Sequence, residues 1–194
     1  DVAAKGDNFL LRGGKRHRST PADGQLCYTN PDLPKVIAEQ LRAAIAKAPE
    51  SRVYSVSAND NVFDNCECPT CTALISSEGM GAAQMLLANR VAEELTATLP
   101  DIRITALAYV ASQVPPKTVF PAVNTVPFYA PIRERSGALR LLPWTEVPKI
   151  VEELTAWAKV SDKIYIWDYV DNGICNDLPT PDPNFDPMSA TIDY

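Results

Sequence analysis

The stretch GMGAAQMLLANRVAEELTATLPDIRITALAYV, residues 79–110, decides the fold because it joins a helix directly to a strand. In its first part, apolar residues recur at three- and four-residue steps: Met80, Ala83, Leu86, Leu87, Val91, Leu95 and Leu99. This spacing places them on one side of a helix, which Pro100 ends. The second part, IRITALAYV at residues 102–110, is apolar and β-branched and predicts a strand.

The segments on either side repeat this alternation of helix and strand. Helices are predicted at NPDLPKVIAEQLRAAIAKAP (residues 30–49), where Asn30 is a suitable N-cap, and at TEVPKIVEELTAWAKV (residues 145–160). Strands are predicted at RVYSVSA (residues 52–58), AVNTVPFYAPI (residues 122–132) and KIYIWDYV (residues 163–170). The connection ASQVPPKTVFP, residues 111–121, has too many prolines for a full crossover helix.

Strands that alternate with helices indicate a parallel α/β fold, either an open doubly wound sheet or a (β/α) barrel. No Gly-rich phosphate loop follows any strand, which removes the main support for a nucleotide-binding sheet. Several strands end in polar and aromatic residues, as barrel strands do at a catalytic face. Because a complete barrel takes roughly 250 residues, the 194 residues predict one domain that is a partial TIM-barrel-like structure. A Pro- and Asp-rich tail, residues 178–194, is predicted to be extended.

Composition excludes several classes of function. The net charge of −6 argues against a nucleic-acid partner, and the basic cluster RGGKRHR at residues 12–18 is interpreted as a solvated turn. No stretch approaches the roughly 20 apolar residues of a membrane span, so no membrane insertion is expected. The single histidine, His17, lies in the basic turn, which disfavours Ser/His/Asp catalysis. The chain starts at Asp1 without a signal segment, so we expect a mature form or a fragment of a longer protein.

Asp60 and Asp168 are the candidate catalytic residues, because each closely follows a predicted strand. Two carboxylates around one cleft are what glycoside hydrolysis requires: one protonates the leaving oxygen, and the other attacks or activates water. Asp after a strand is also a common turn former. The neighbouring polar and aromatic residues would form a sugar-facing wall, which comprises Asn59, Tyr109, Trp167 and Tyr169.

Cysteines form the second candidate site. Cys66, Cys68 and Cys71 form a C-x-C-x-x-C motif, and Cys27 precedes the first helix. The C-x-x-C half has the spacing of a zinc knuckle, in which Cys27 or, alternatively, Cys175 would supply the fourth thiolate. A disulfide within the group and free thiols are the other possibilities. Four thiolates would leave zinc no open position, so the metal would be structural.

The order of these motifs resembles the bacterial family called domain of unknown function 4838. The resemblance is carried by GQLCYTNPDL, SVSANDN followed by CECPTC, ANRVAEELTATLPDIRITALAYV, IYIWDYV and LPTPDPNF, and it extends from about Asp7 to Phe185. That family is similar to the (β/α) barrels of α-glucuronidases and hexosaminidases. The resemblance implies a secreted or periplasmic bacterial protein of polysaccharide breakdown. It also implies that the four cysteines from Cys27 to Cys71 form one cluster, and that further barrel segments lie outside this chain.

The sequence therefore predicts a carbohydrate-active protein with the mechanism of a glycoside hydrolase. Its partner would be carbohydrate, and its one cofactor a structural zinc ion. A non-catalytic glycan-binding module would use the same aromatic cleft without paired acids. A structural domain held together by the cysteine cluster is the third possibility.

Overall fold

The computed structural model describes residues 5–18, 24–60, 64–131 and 143–168. Its helices are α1 (Leu33–Lys47), α2 (Pro69–Glu78), α3 (Ala82–Thr96) and α4 (Pro148–Ala158). Its strands are β1 (Leu11–Arg12), β2 (Lys15–Arg16), β3 (Val53–Ser55), β4 (Arg103–Tyr109), β5 (Thr125–Ala130) and β6 (Tyr165–Ile166). The predicted tail, residues 178–194, lies outside the described residues.

Strands β3 to β6 form one curled sheet, in which neighbours in the chain are also neighbours in space and every pair is parallel. The sheet amounts to half of a barrel, which confirms the predicted α/β class and the four predicted strands. The two outer strands are shorter than predicted, since β3 has three residues and β6 has two. As the prolines indicated, no α-helix lies in the described connection between β4 and β5, which begins with a 3-10 turn at Val110–Ser112.

One helix was not predicted from the sequence. The cysteine loop continues into α2, which starts with Pro69 in its first turn and takes Cys68 as its N-cap. Gly79, at φ 106°, ends α2 in a conformation that residues with a Cβ rarely adopt. Gly81 then starts α3 close to Ser112, where a Cβ would come within 3.2 Å of the serine Cβ. Two glycines therefore separate helices that the hydrophobic pattern alone does not separate.

The two faces of the sheet differ in their environment. Ile104, Ala106 and Tyr129 point to the helical layer and are almost completely buried among apolar residues of α1, α3 and α4. The other face is less uniformly buried: Thr105 and Val126 are buried, whereas Val53 is 45% exposed and Phe128 is half-buried. Parallel sheets are usually covered on both faces. Here the face toward the helices is more completely buried than the other among the described residues.

A buried carboxylate connects α4 to the strands. Glu153 accepts hydrogen bonds from Gln113 Nε2 at 2.7 Å and from the Tyr129 hydroxyl at 2.8 Å. Lys149 Nζ lies 3.4 Å from the same carboxylate, and Trp157 Nε1 donates to the Gln113 carbonyl at 2.7 Å. Because these donors satisfy it, the carboxylate can remain deep in the core.

Replacing Glu153 with Ala is expected to lower the free energy of unfolding by about 3 kcal/mol, since two buried donors lose their acceptor. In a domain of this size the melting temperature would fall by roughly 6–12 °C. Thermal unfolding followed by circular dichroism measures the change. The matched control is Glu152→Ala, because Glu152 also contacts Lys149 but its side chain is 73% exposed. Equal effects of the two substitutions would contradict a role for the buried network.

Candidate functional site

The four predicted cysteines come together at the carboxyl end of the sheet. Cys27 lies in the loop that leads into α1. Cys66 and Cys68 lie between β3 and α2, and Cys71 occupies the first turn of α2. The loop before α1 meets the residues that follow β3, since the Gln25 side chain exchanges two hydrogen bonds with the Asn59 backbone. Residues that are 39 positions apart in the chain, Cys27 and Cys66, are for this reason neighbours in space.

The geometry of the cluster suits a metal ion with four sulfur ligands. All four Sγ atoms lie within 4.8 Å of one another, and Cys27 Sγ is 3.7 Å from Cys68 Sγ. A tetrahedral zinc ion with bonds of about 2.3 Å separates its sulfur ligands by about 3.8 Å. The four side chains are at most 9% exposed, and none of them forms a disulfide. The cluster could therefore bind a metal, and Cys175, the alternative ligand, lies outside the described residues.

Backbone and side-chain donors point at the sulfur atoms. The Leu11 amide donates to Cys66 Sγ at 3.2 Å, and the Cys71 amide donates to Cys68 Sγ at 3.5 Å. Arg16 Nη1 lies 3.7 Å from Cys66 Sγ, and the Thr29 hydroxyl is 3.2 Å from Cys71 Sγ. Such donors stabilise the negatively charged thiolate, and the thiolate is the form of cysteine that ligates a metal.

Among Cys27, Cys66 and Cys71, the thiolate form is favoured at Cys27. Its pKa is lowered to about 4, first by the hydrogen bond from Cys71 and also by the one from Arg16. The same bond with Cys27 raises the pKa of Cys71, and burial raises the pKa of Cys66. A bound cation would displace the protons that the Cys66 and Cys71 thiols hold.

The basic cluster, residues 12–18, has a structural role that the sequence interpretation missed. It forms the hairpin β1–β2 around Gly13 and Gly14, both at positive φ, as a two-residue turn of this kind requires. Arg12 binds Asp64 through two hydrogen bonds of 3.0 and 3.2 Å. The Glu67 amide donates to the Leu11 carbonyl at 2.7 Å. The hairpin thus covers the cysteine cluster, and the Gly-Gly pair is the signal that identifies it in the sequence.

The predicted wall residues have different environments. Asn59 is held by the loop before α1: its amide nitrogen Nδ2 donates to the Gly24 carbonyl at 2.7 Å, and its backbone exchanges two hydrogen bonds with Gln25. Tyr109 is the last residue of β4 and is half-buried. Trp167 directly follows β6, is 51% exposed, and has its ring centroid 5.8 Å from that of Phe128. Tyr169 lies outside the described residues.

The two candidate carboxylates follow opposite edges of the sheet. Asp60 is exposed and follows β3, whereas Asp168 is half-buried and follows β6. Strands β4 and β5 lie between them. Neighbouring strands are about 4.8 Å apart, so three spacings amount to about 14 Å along the sheet. Both residues lie at the carboxyl end, as predicted, but not on adjacent strands.

The fold and the cluster define a class: a parallel α/β half-barrel with a four-cysteine centre at the carboxyl end of its sheet. The chain belongs to the family described as domain of unknown function (DUF4838), whose model matches residues 4–194. This match confirms the resemblance seen in the motifs. No curated protein and no solved structure matches the chain. Among the helices of the described residues, none combines the length and the apolar character of a membrane span.

Proposed function

We propose that the chain is a carbohydrate-active protein whose sugar-binding surface is the carboxyl end of the sheet. The observation that carries this proposal is the exposed indole of Trp167 beside Phe128, on the less covered face. Exposed aromatic rings offer a platform for the apolar face of a sugar ring. The acidic chain disfavours polyanionic partners, whereas a neutral glycan meets no such repulsion.

The proposed reaction is glycoside hydrolysis. One carboxyl group protonates the glycosidic oxygen as the bond to the sugar breaks, and the other attacks the sugar or activates the water that does so. Asp60 is proposed as acid/base and Asp168 as the second carboxylate or a ligand of a sugar hydroxyl. In a (β/α) barrel the helices lie outside, so the less covered face of this sheet would face the barrel interior. We propose a TIM-barrel relationship, in which further strands complete the barrel. By resemblance, the protein is secreted or periplasmic in a bacterium.

A non-catalytic glycan-binding module is the second candidate, and the spacing of the two carboxylates favours it. Paired carboxylates in glycoside hydrolases are roughly 5–9.5 Å apart, while β3 and β6 are separated by two strands. A binding module needs the aromatic platform but no such pair.

We further propose that the four cysteines hold a structural zinc ion. Support comes from the separation of Cys27 Sγ and Cys68 Sγ and from the complete burial of Cys71. With four thiolates the ion has no position for water or substrate, so it would stabilise the fold without taking part in the reaction. It would join the loop before α1 to the start of α2, beneath the hairpin that covers the cluster.

Replacing Trp167 with Ala is expected to weaken glycan binding about tenfold or more, because it removes the indole ring that would pack against a sugar. Isothermal titration with xylohexaose, cellohexaose and chitohexaose measures the change. Phe120→Ala is the matched control, because Phe120 is a similarly exposed aromatic residue, at 45%, that precedes β5. Glycan binding that is unaffected by Trp167→Ala would contradict the proposed surface.

A further inference from the structure

The hairpin β1–β2 brings a positive charge to the cysteine cluster, and the function proposed so far gives that charge no role. Arg16, in β2, has its Nη1 atom 3.7 Å from Cys66 Sγ and donates from the same atom to the Phe9 carbonyl at 2.8 Å. Its charge also acts on the sulfur of Cys27. With a side chain that is 31% exposed, Arg16 lies between the buried sulfur atoms and the solvent.

A metal centre with four cysteines needs such a charge. A divalent zinc ion with four thiolates has two net negative charges. In this protein they would lie beside Leu10, which is fully buried, and on side chains that are at most 9% exposed. Charge in apolar, nearly dry surroundings is costly unless it is compensated. The centre is therefore more stable with a cation held against its sulfur atoms.

Neutral donors reduce this cost but do not remove the net charge. The Leu11 amide donates to Cys66 Sγ, and the Cys71 amide donates to Cys68 Sγ. These groups supply dipoles, so the net charge of the centre stays the same. A guanidinium adds a full positive charge, and its planar fork can face a sulfur atom and a carbonyl oxygen at once.

The charges around the centre direct Arg16 toward the sulfur atoms. Arg12 is bound to Asp64 through two hydrogen bonds. Glu67 stands in the chain between two of the cysteines and adds a negative charge. Asp7 Oδ1 lies 3.6 Å from Arg16 Nε, but the Asp7 side chain is 86% exposed, and an ion pair in water is weak. The buried thiolates are therefore the stronger partner of the Arg16 guanidinium.

We propose that Arg16 is the counter-cation of the four-cysteine metal centre and sets how tightly the protein retains zinc. This role rests on the zinc site proposed above and extends it, because the basic turn then supplies charge as well as cover. Arg16 does not ligate the metal. It is a positioning residue that acts through Cys66 and Cys27, whose thiolates it stabilises. Lys15 precedes it in β2 and, because side chains alternate along a strand, points to the other side of the hairpin.

The test measures the zinc affinity of the full chain by competition with a chromophoric chelator. We expect Arg16→Gln to weaken zinc binding about 10- to 100-fold, the usual effect of removing a group that supports metal ligands. Arg16→Lys should keep most of the affinity. Gln and Lys can both donate to the Phe9 carbonyl, so these two variants differ chiefly in charge. Lys15→Gln is the matched control, because it removes the same charge from an exposed position and should leave the affinity nearly unchanged.

Ionic strength supplies a readout that a purely structural role would not move. Salt screens a partly exposed guanidinium, so the difference in zinc affinity between the unmodified protein and Arg16→Gln should narrow as salt is added. Circular dichroism of the metal-free variants checks that each of them folds.

Equal zinc affinities of the unmodified protein and Arg16→Gln overturn the counter-cation role and leave the zinc site intact. Arg16→Lys that binds zinc as weakly as Arg16→Gln also overturns it, since the effect would then belong to the shape of the hairpin and not to its charge. Unmodified protein that takes up no zinc contradicts the zinc site itself, and the counter-cation role with it.

Discussion

Removal of zinc from the four-cysteine centre is expected to lower the melting temperature by roughly 8–16 °C. Zinc at about a thousand times its dissociation constant stabilises the folded chain by about 4 kcal/mol, and each kcal/mol corresponds to about 2–4 °C in a domain of this size. The loss would be large because the proposed ion would join segments that are far apart in the chain, the loop around Cys27 and the start of α2. Thermal unfolding before and after chelation, with metal content measured by mass spectrometry, checks the result.

Substitution identifies the ligands. Cys71→Ser should lose stoichiometric zinc and most of the added stability, since a buried hydroxyl is a poor replacement for a thiolate. Cys175→Ser is the matched control, because it removes the fifth cysteine of the chain and should leave the zinc content at one ion per chain. Protein that is purified without metal and contains two disulfides would contradict the zinc proposal. So would a large effect of Cys175→Ser.

Lower pH should weaken the stabilisation by zinc. Cys66 and Cys71 have raised pKa values in the metal-free centre and therefore hold protons at neutral pH. Zinc must displace those protons, so its apparent affinity rises with pH and falls on acidification. The difference in melting temperature between the zinc-loaded and chelated protein should shrink accordingly as the pH is lowered.

Replacing Asp60 or Asp168 with Asn is expected to lower the turnover of a glycoside substrate by 10²- to 10⁴-fold, the usual contribution of a positioned general acid or base. Asn keeps the size of the side chain but can neither release nor accept the proton. Initial rates on a panel of 4-nitrophenyl glycosides and on the hexasaccharides measure the effect. Asp101→Asn is the matched control, because Asp101 is exposed at the opposite, amino end of β4.

Three outcomes separate the candidate functions. Turnover that survives both substitutions would show that hydrolysis, if present, uses other carboxylates. Glycan binding without turnover by the unmodified protein would establish the binding module. If only Asp60→Asn abolishes turnover, the second carboxylate lies closer to β3 than Asp168 does, as the spacing of the strands favours.

The regular part of the fold could be predicted because the residue pattern and the tertiary environment agree there. In α3 and β4 most predicted core positions, such as Leu87, Val91 and Ile104, are buried, while Leu86 is half-buried. The pattern of apolar residues predicted an element less well where that element depends on contacts with other parts of the chain. Helix α2 has little apolar periodicity and is specified by its ends, Cys68 and Gly79, and by the cluster that holds its first turn.

The candidate site was predictable in its residues but not in all of its contacts. The spacing of Cys66, Cys68 and Cys71 indicated a shared site, because residues two and three apart in a turn can point to one ion. The role of Arg16 was not visible, since only the folded hairpin brings its guanidinium within 3.7 Å of Cys66 Sγ.

The sequence by itself determined the α/β class, the positions of the strands along the chain and the C-x-C-x-x-C motif, since these follow from local periodicity and from spacing along the chain. Only the tertiary structure decided that Cys27 joins Cys66, Cys68 and Cys71, that the basic turn covers them, and that Asp60 and Asp168 follow opposite edges of the sheet. The physical reason is that periodicity reports which side of an element is buried. Which elements then meet depends on how the sheet curls and how its loops pack, and no local pattern encodes that.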